Sequence, residues 1–213
     1  MQNFIQVLWQ PNAALSNVPR IKFGHLVLTM LAVELFISLS MYNAYAAAAV
    51  KAAATNPMVT QNMSTFVVWV ALLTGALVNP VVLLLAALVF LLVSNMFEQS
   101  PSFRDLYGML ILASVPGILL RLARSVIGLA TGLPAAAKLP VVKLSTYLPL
   151  AADSTMGKML MPYDFGDLWT FGLVMLGFSI VSGLKRTPAL VSSFLVWGLL
   201  LLAQGRLAGM SAA

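Results

Sequence analysis

The chain has no cysteine, one histidine (His25) and six acidic residues in 213. Without cysteine there are no disulfides, no thiolate metal sites and no cysteine nucleophile. His25 stands at the edge of an apolar run with no His, Asp or Glu cluster beside it, so neither a metal centre nor an imidazole base has its partners. A glycine-rich phosphate loop and an HExxH pattern are also missing. Serines abound, yet no second histidine and no lysine placed at depth would activate one. These absences predict a non-enzymatic chain with no catalytic residues, no cofactor and no metal.

Charge of either sign is scarce, at 8% of residues, whereas 61% are hydrophobic and the mean hydropathy is +0.95. That composition excludes a soluble domain and predicts an integral membrane protein, with one domain over residues 1–213. The formal charge of +6 would suggest nucleic acid in a soluble chain. Here the twelve Lys and Arg are scattered, mostly at the ends of apolar runs, so the bilayer and its headgroups are the expected partner.

The chain is organised around Pro101 to Leu133. After Ser102-Phe103-Arg104-Asp105 come fifteen residues without charge, Leu106 to Leu120, and then Arg121 and Arg124. Fifteen helical residues rise only about 22 Å against a hydrocarbon core of about 30 Å, so a spanning helix must continue past Arg121. Gly128, Arg121, Ser114 and Tyr107 fall on one heptad stripe, with Arg124 and Gly117 on the same face. Small and polar residues mark the side of a membrane helix that packs on protein. Pro116 should kink this helix. The helix is expected at the centre of a bundle, with its arginines turned inward.

Residues 1–22 predict a short interfacial helix, capped by Asn3 and stopped by Pro11, whose Phe4, Ile5, Leu8 and Trp9 form an apolar side. The first span is expected at about 23–45. Its Ala46 to Ala49 faintly resembles a signal-peptidase site, but the run is too long and contains Glu34, so it reads as a span. Glu34 lies roughly 16 Å deep, where an isolated carboxylate is costly unless paired or protonated. The second run, 65–97, contains Asn79-Pro80 and is read as one long, kinked helix. The third span is expected at 105–130. Residues 131–166 hold four prolines and five charges and predict short interfacial helices without a crossing. Span four, 167–184, carries a small stripe of Gly172, Ser179 and Gly183. Lys185-Arg186-Thr187-Pro188 forms the turn into span five, 188–204, with Thr187 as N-cap. The fold expected is therefore all-α and polytopic, with five transmembrane helices. Short, tightly flanking charges (Arg20, Lys22, Arg104, Lys185 and Arg186) favour a cytoplasmic N-terminus and an outside C-terminus.

Several segments carry a resemblance. LWQPNAAL (Leu8 to Leu15), SPSFRDLYGMLILASVPGILL (Ser100 to Leu120), MPYDFGDLW (Met161 to Trp169) and GLKRTPALVSSFLVWGLLLL resemble, in order and spacing, the Yip family, named for interaction with Ypt/Rab GTPases. The resemblance implies a five-helix membrane domain with a cytoplasmic N-terminus, located for the bacterial branch in the inner membrane. Eukaryotic relatives act in vesicle traffic and bind small GTPases through a longer N-terminal region than the 22 residues here. No catalytic or ligand-binding motif comes with the family.

Glu34, Asn79, Arg121 and Arg124 form the candidate intramembrane polar cluster. Helical rise puts Glu34 and Arg121 within about 6 Å of each other along the membrane normal, so a structural ion pair between the first and third spans is expected. Asp164 and Asp167 are the candidate interfacial partners of Arg124. Charges at depth also mark transport pathways. The reading favoured is a membrane scaffold or partner-binding protein linked to membrane organisation or trafficking, engaging a protein partner or a second copy of itself. The alternative is a small-solute or ion transporter that uses the Glu34/Arg121 pair.

Overall fold

The computed structural model describes residues 2–43, 61–131 and 165–196, together with 46, 47, 50 and 199. Among these residues the elements are helical: α1 (Gln2–Trp9), α2 (Pro11–Ser16), a 3-10 turn (Val18–Arg20), α3 (Phe23–Ser40), α4 (Gln61–Met96), α5 (Phe103–Ala113), α6 (Val115–Thr131) and α7 (Phe165–Ser182). Residues 186–196 are helical as well. Three helices, α3, α4 and α7, are long and apolar enough to cross a membrane, and the α5–α6 pair makes a fourth if it is one broken span. Five spans is thus a larger number than the described helices provide. The eleven described residues at 186–196 fall short of a crossing, and the expected interfacial helices of 131–166 lie almost wholly outside the described residues.

The helix boundaries follow local chemistry. The 65–97 run is one helix with Pro80 inside it. The 103–131 run is two, because proline disfavours helical backbone in the residue before it and clashes with the carbonyl four residues back. Helix α5 ends at Ala113, α6 starts at Val115 with Pro116 in its first turn, and the two are bent by 44°. The Ser114 hydroxyl, at this break, donates to the Ile111 carbonyl at 2.8 Å. At the start of α5 the Ser102 hydroxyl accepts the Asp105 N–H at 3.1 Å, with Asp105 complementing the helix dipole. At the other end of the chain the helix is already formed at residue 186, with the Ala189 N–H bonded to the Lys185 carbonyl. Thr187 therefore sits inside the first turn and is not the cap.

The chain forms two compact units. The first contains residues 1–23, 83–117 and the described part of 165–199. Its hub is α5, buried continuously from Leu106 to Ala113. Helix α7 lies along α5 and buries Leu173, Gly177 and Phe178, and the Phe178 ring meets Phe90 with centroids 4.5 Å apart. Helix α2 packs on α7 and α1 on α5, burying Val7, Ala14 and Leu15 completely. The N-terminal segment differs from its expectation in one way. Pro11 opens α2 as well as following α1, since a missing N–H costs nothing in a first turn. The side that packs on protein runs through Val7, whereas Ile5 and Trp9 are exposed at 63% and 80%.

Helix α4 ends in a turn that places a non-glycine residue in the left-handed region. The Gln99 N–H reaches the Ser94 carbonyl and the Glu98 N–H reaches that of Asn95, both about one hydrogen bond long at 3.0 and 3.1 Å. This closure requires positive φ at Glu98, where φ is 58°. A Cβ in that conformation costs about 1–2 kcal/mol. Glu98→Gly is therefore expected to raise stability by about 1 kcal/mol, read as a higher unfolding temperature in detergent. An unchanged or lower temperature would show that the glutamate side chain offsets its own strain.

The second unit contains the described parts of 24–82 and 118–131. Helix α3 buries Leu26, Met30, Glu34 and Ser38, a stripe with four-residue spacing. The lower half of that stripe is polar and is matched by donors and acceptors. The Ser38 hydroxyl donates to the Leu72 carbonyl of α4 at 2.6 Å. Val68 and Leu72 are buried beside it, and Tyr42 meets Trp69 with ring centroids 6.4 Å apart.

Candidate functional site

Glu34 is the one acidic residue of α3, and its side chain is 1% exposed. A carboxylate so enclosed needs its lone pairs filled, because an unmatched buried charge costs several kcal/mol. Three donors converge on it. Arg121 Nη2 reaches Oε1 at 2.6 Å and Arg121 Nη1 reaches Oε2 at 3.1 Å. Asn79 Nδ2 donates to Oε1 at 2.6 Å. The arginine fork matches both carboxylate oxygens, the geometry that makes such pairs strong and directional.

Each partner is placed by its helix. Four-residue spacing turns Glu34 to the same side as Met30 and Ser38. Asn79 precedes Pro80 in α4, and Pro80 has no N–H with which to continue the backbone ladder to the Ala76 carbonyl. Arg121 stands in the second turn of α6, just past the break, and its carbonyl accepts the Ser125 hydroxyl at 3.0 Å. The Arg121 side chain remains 37% exposed, so the cation end of the pair opens outward while the carboxylate end is enclosed. The cluster is a three-helix clasp. It holds one carboxyl–guanidinium pair and one amide and leaves both Glu34 oxygens hydrogen-bonded.

Of the candidates read from the sequence, the structure brings Glu34, Asn79 and Arg121 together. Arg124 is half-buried one turn beyond Arg121 and is not among the hydrogen-bond donors to Glu34. Asp167 is half-buried near the start of α7, with its Oδ1 3.8 Å from where a Cβ on Gly117 would lie. Asp164 lies outside the described residues. His25 is exposed, and its carbonyl accepts the Thr29 hydroxyl. Among the described residues no three His, Asp or Glu side chains gather as metal ligands would.

No family model matches the chain, and neither does any curated protein or solved structure. The site must therefore be read from its own geometry.

Sequence reasoning missed Ser38 and Gly177. Ser38 was legible as the next four-residue step after Glu34, but an isolated serine on an apolar helix carries no signal until its acceptor is known. Gly177 lies where α7 meets the Met109 side chain of α5. A Cβ there would lie 2.6 Å from Met109 Cγ and 3.3 Å from Leu15 Cδ2. Gly172, the first residue of the expected small stripe, has nothing within 4 Å of its Cβ position. Gly183 serves the turn after α7 with φ of 72°.

Proposed function

We propose that this chain is a non-enzymatic, multi-pass membrane protein that acts as a scaffold or partner-binding protein in membrane organisation or trafficking. The observation that carries this reading is the enclosed Glu34 carboxylate, with both oxygens taken by Arg121 and Asn79. A group that relays protons or releases a cation must exchange partners. One held by a bidentate arginine and an amide serves first to fix three helices against one another. The resemblance to the Yip family points the same way, with a cytoplasmic N-terminus, an outside C-terminus and a place in a bacterial inner membrane. The partner is a protein or a second copy of the chain, and a pull-down in mild detergent is the means to name it.

A second reading, transport of a small solute or ion, draws on one feature: the Arg121 side chain is 37% exposed, so the pair is open from its cationic end. Proteoliposomes carrying a pH-sensitive dye separate the two. The scaffold reading expects proton and monovalent-cation flux no faster than in protein-free vesicles, together with a lower unfolding temperature for Glu34→Gln. A protein-dependent flux that Glu34→Gln removes without changing the unfolding temperature would replace the scaffold with a transporter.

A further inference from the structure

Arg20, Lys22, Arg104, Lys185 and Arg186 are exposed, and none has an ion-pair partner among the described residues. They lie far apart in the chain but in one compact unit. Two contacts draw their segments together. Arg104 Nη2 donates to the Ile21 carbonyl at 3.0 Å, between Arg20 and Lys22. The Gln99 side chain lies 3.5 Å from the Cβ position of Gly183, just before Lys185 and Arg186. Two acids, Glu98 and Asp105, share the region, so positive charge is in excess.

Arg104 is the ordered centre of this group. Its guanidinium sits 6.0 Å above the Phe23 ring as well as on the Ile21 carbonyl. Phe23, Tyr107 and Phe103 continue as a run of rings with centroid spacings of 5.9 and 6.0 Å. The ring and the carbonyl together fix the guanidinium plane, while most of its five N–H donors stay available. These residues flank the first turns of α3 and α5 and the turn after α7, where apolar helices give way to polar chain. Aromatic rings and unpaired cations at such ends meet lipid headgroups.

We propose that this cluster, centred on Arg104, binds the phosphate of an anionic phospholipid headgroup. The inference rests on the reading of the chain as a membrane protein and is independent of the choice between scaffold and transporter, so the flux result stands whichever way this test falls.

The test uses the purified full chain in a neutral detergent, with tryptophan fluorescence following thermal unfolding as lipid is added. Short-chain phosphatidylglycerol is expected to raise the unfolding temperature in a saturable way. Phosphatidylcholine of the same chain length and inorganic phosphate at the same concentration are expected not to. Arg104→Gln should shift the phosphatidylglycerol midpoint about fivefold higher, the weight of one cation near an anionic surface. Arg104→Lys should fall between, because a point charge lacks the fork. Should Arg104→Gln fail to fold, Arg20→Gln with Lys22→Gln, which removes no side-chain ion pair among the described residues, must weaken the response. Equal responses to the two lipids, an equal response to inorganic phosphate, or unshifted midpoints in the variants would each overturn the site.

Discussion

Arg121→Met is expected to melt well before the parent protein, and before Glu34→Gln, although the two variants break the same pair. The asymmetry comes from burial. Removing Arg121 leaves a carboxylate that is 1% exposed with Asn79 as its remaining side-chain donor. Breaking a buried pair by deleting one partner costs about 3–5 kcal/mol, and here the stranded charge has no route to water. Removing the charge of Glu34 is milder. The neutral amide still accepts from Asn79 or Arg121, and the arginine, already 37% exposed, can extend toward the membrane boundary. A loss of about 1–3 kcal/mol is expected there. Glu34→Gln combined with Arg121→Met should recover part of the Arg121→Met loss, because no charge is then left buried. Thermal unfolding in detergent for the three variants measures the coupling directly. Equal melting of both single variants and the parent would mean that the clasp contributes nothing to holding the helices. Additive losses in the double variant would mean that the two side chains act separately.

The pair was legible because two one-dimensional facts constrain it. Helical rise fixed the depth of Glu34 from Phe23 and the depth of Arg121 from the start of the third run. A mid-depth carboxylate needs a cation, and few cations lie at depth. Asn79 entered the cluster as a polar residue within an apolar run, without a sequence signal for which oxygen it would meet. The broken third helix was legible in Pro116, but only as a kink. Whether proline bends a helix or ends it depends on the hydrogen bonds the chain around it can still make, and here the Ser114 hydroxyl donates to the Ile111 carbonyl at the break. At the N-terminus α1 has apolar residues on more than one side, and periodicity alone does not say that Val7 packs on protein while Ile5 and Trp9 stay exposed. The exposed apolar surfaces of α4 were plain in composition, with Leu73, Leu77 and Leu85 each at least half exposed. A uniformly apolar helix carries no stripe from which to read its neighbours.

The packing of α7 on α5 shows the same limit and gives the second large effect. The sequence offers four glycines in or just after α7, Gly166, Gly172, Gly177 and Gly183, and small residues at helix contacts are ordinary in membranes because they let backbones approach. Spacing favoured Gly172 and Gly183, yet the contact is made at Gly177. Its Cβ position lies 2.6 Å from Met109 Cγ and 2.9 Å from Met109 Sδ, closer than a Cβ comes to an atom it is not bonded to. Met109 is wholly buried, and Leu15 closes the third side, so the methionine has little room to move. Gly177→Ala is expected to destabilise by about 1–3 kcal/mol, the usual cost of overfilling a packed core. Gly177→Val should cost more, because a branched side chain forces the helices themselves apart. Met109→Ala on the Gly177→Ala background should restore part of the loss by removing the atoms that clash. Gly172→Ala is the control. With open space around it, the substitution gains about 0.5–1 kcal/mol from helix propensity and meets nothing. If Gly177→Ala melts with Gly172→Ala, at or above the parent, α5 and α7 do not approach at this residue and the buried hub of the first unit is packed some other way.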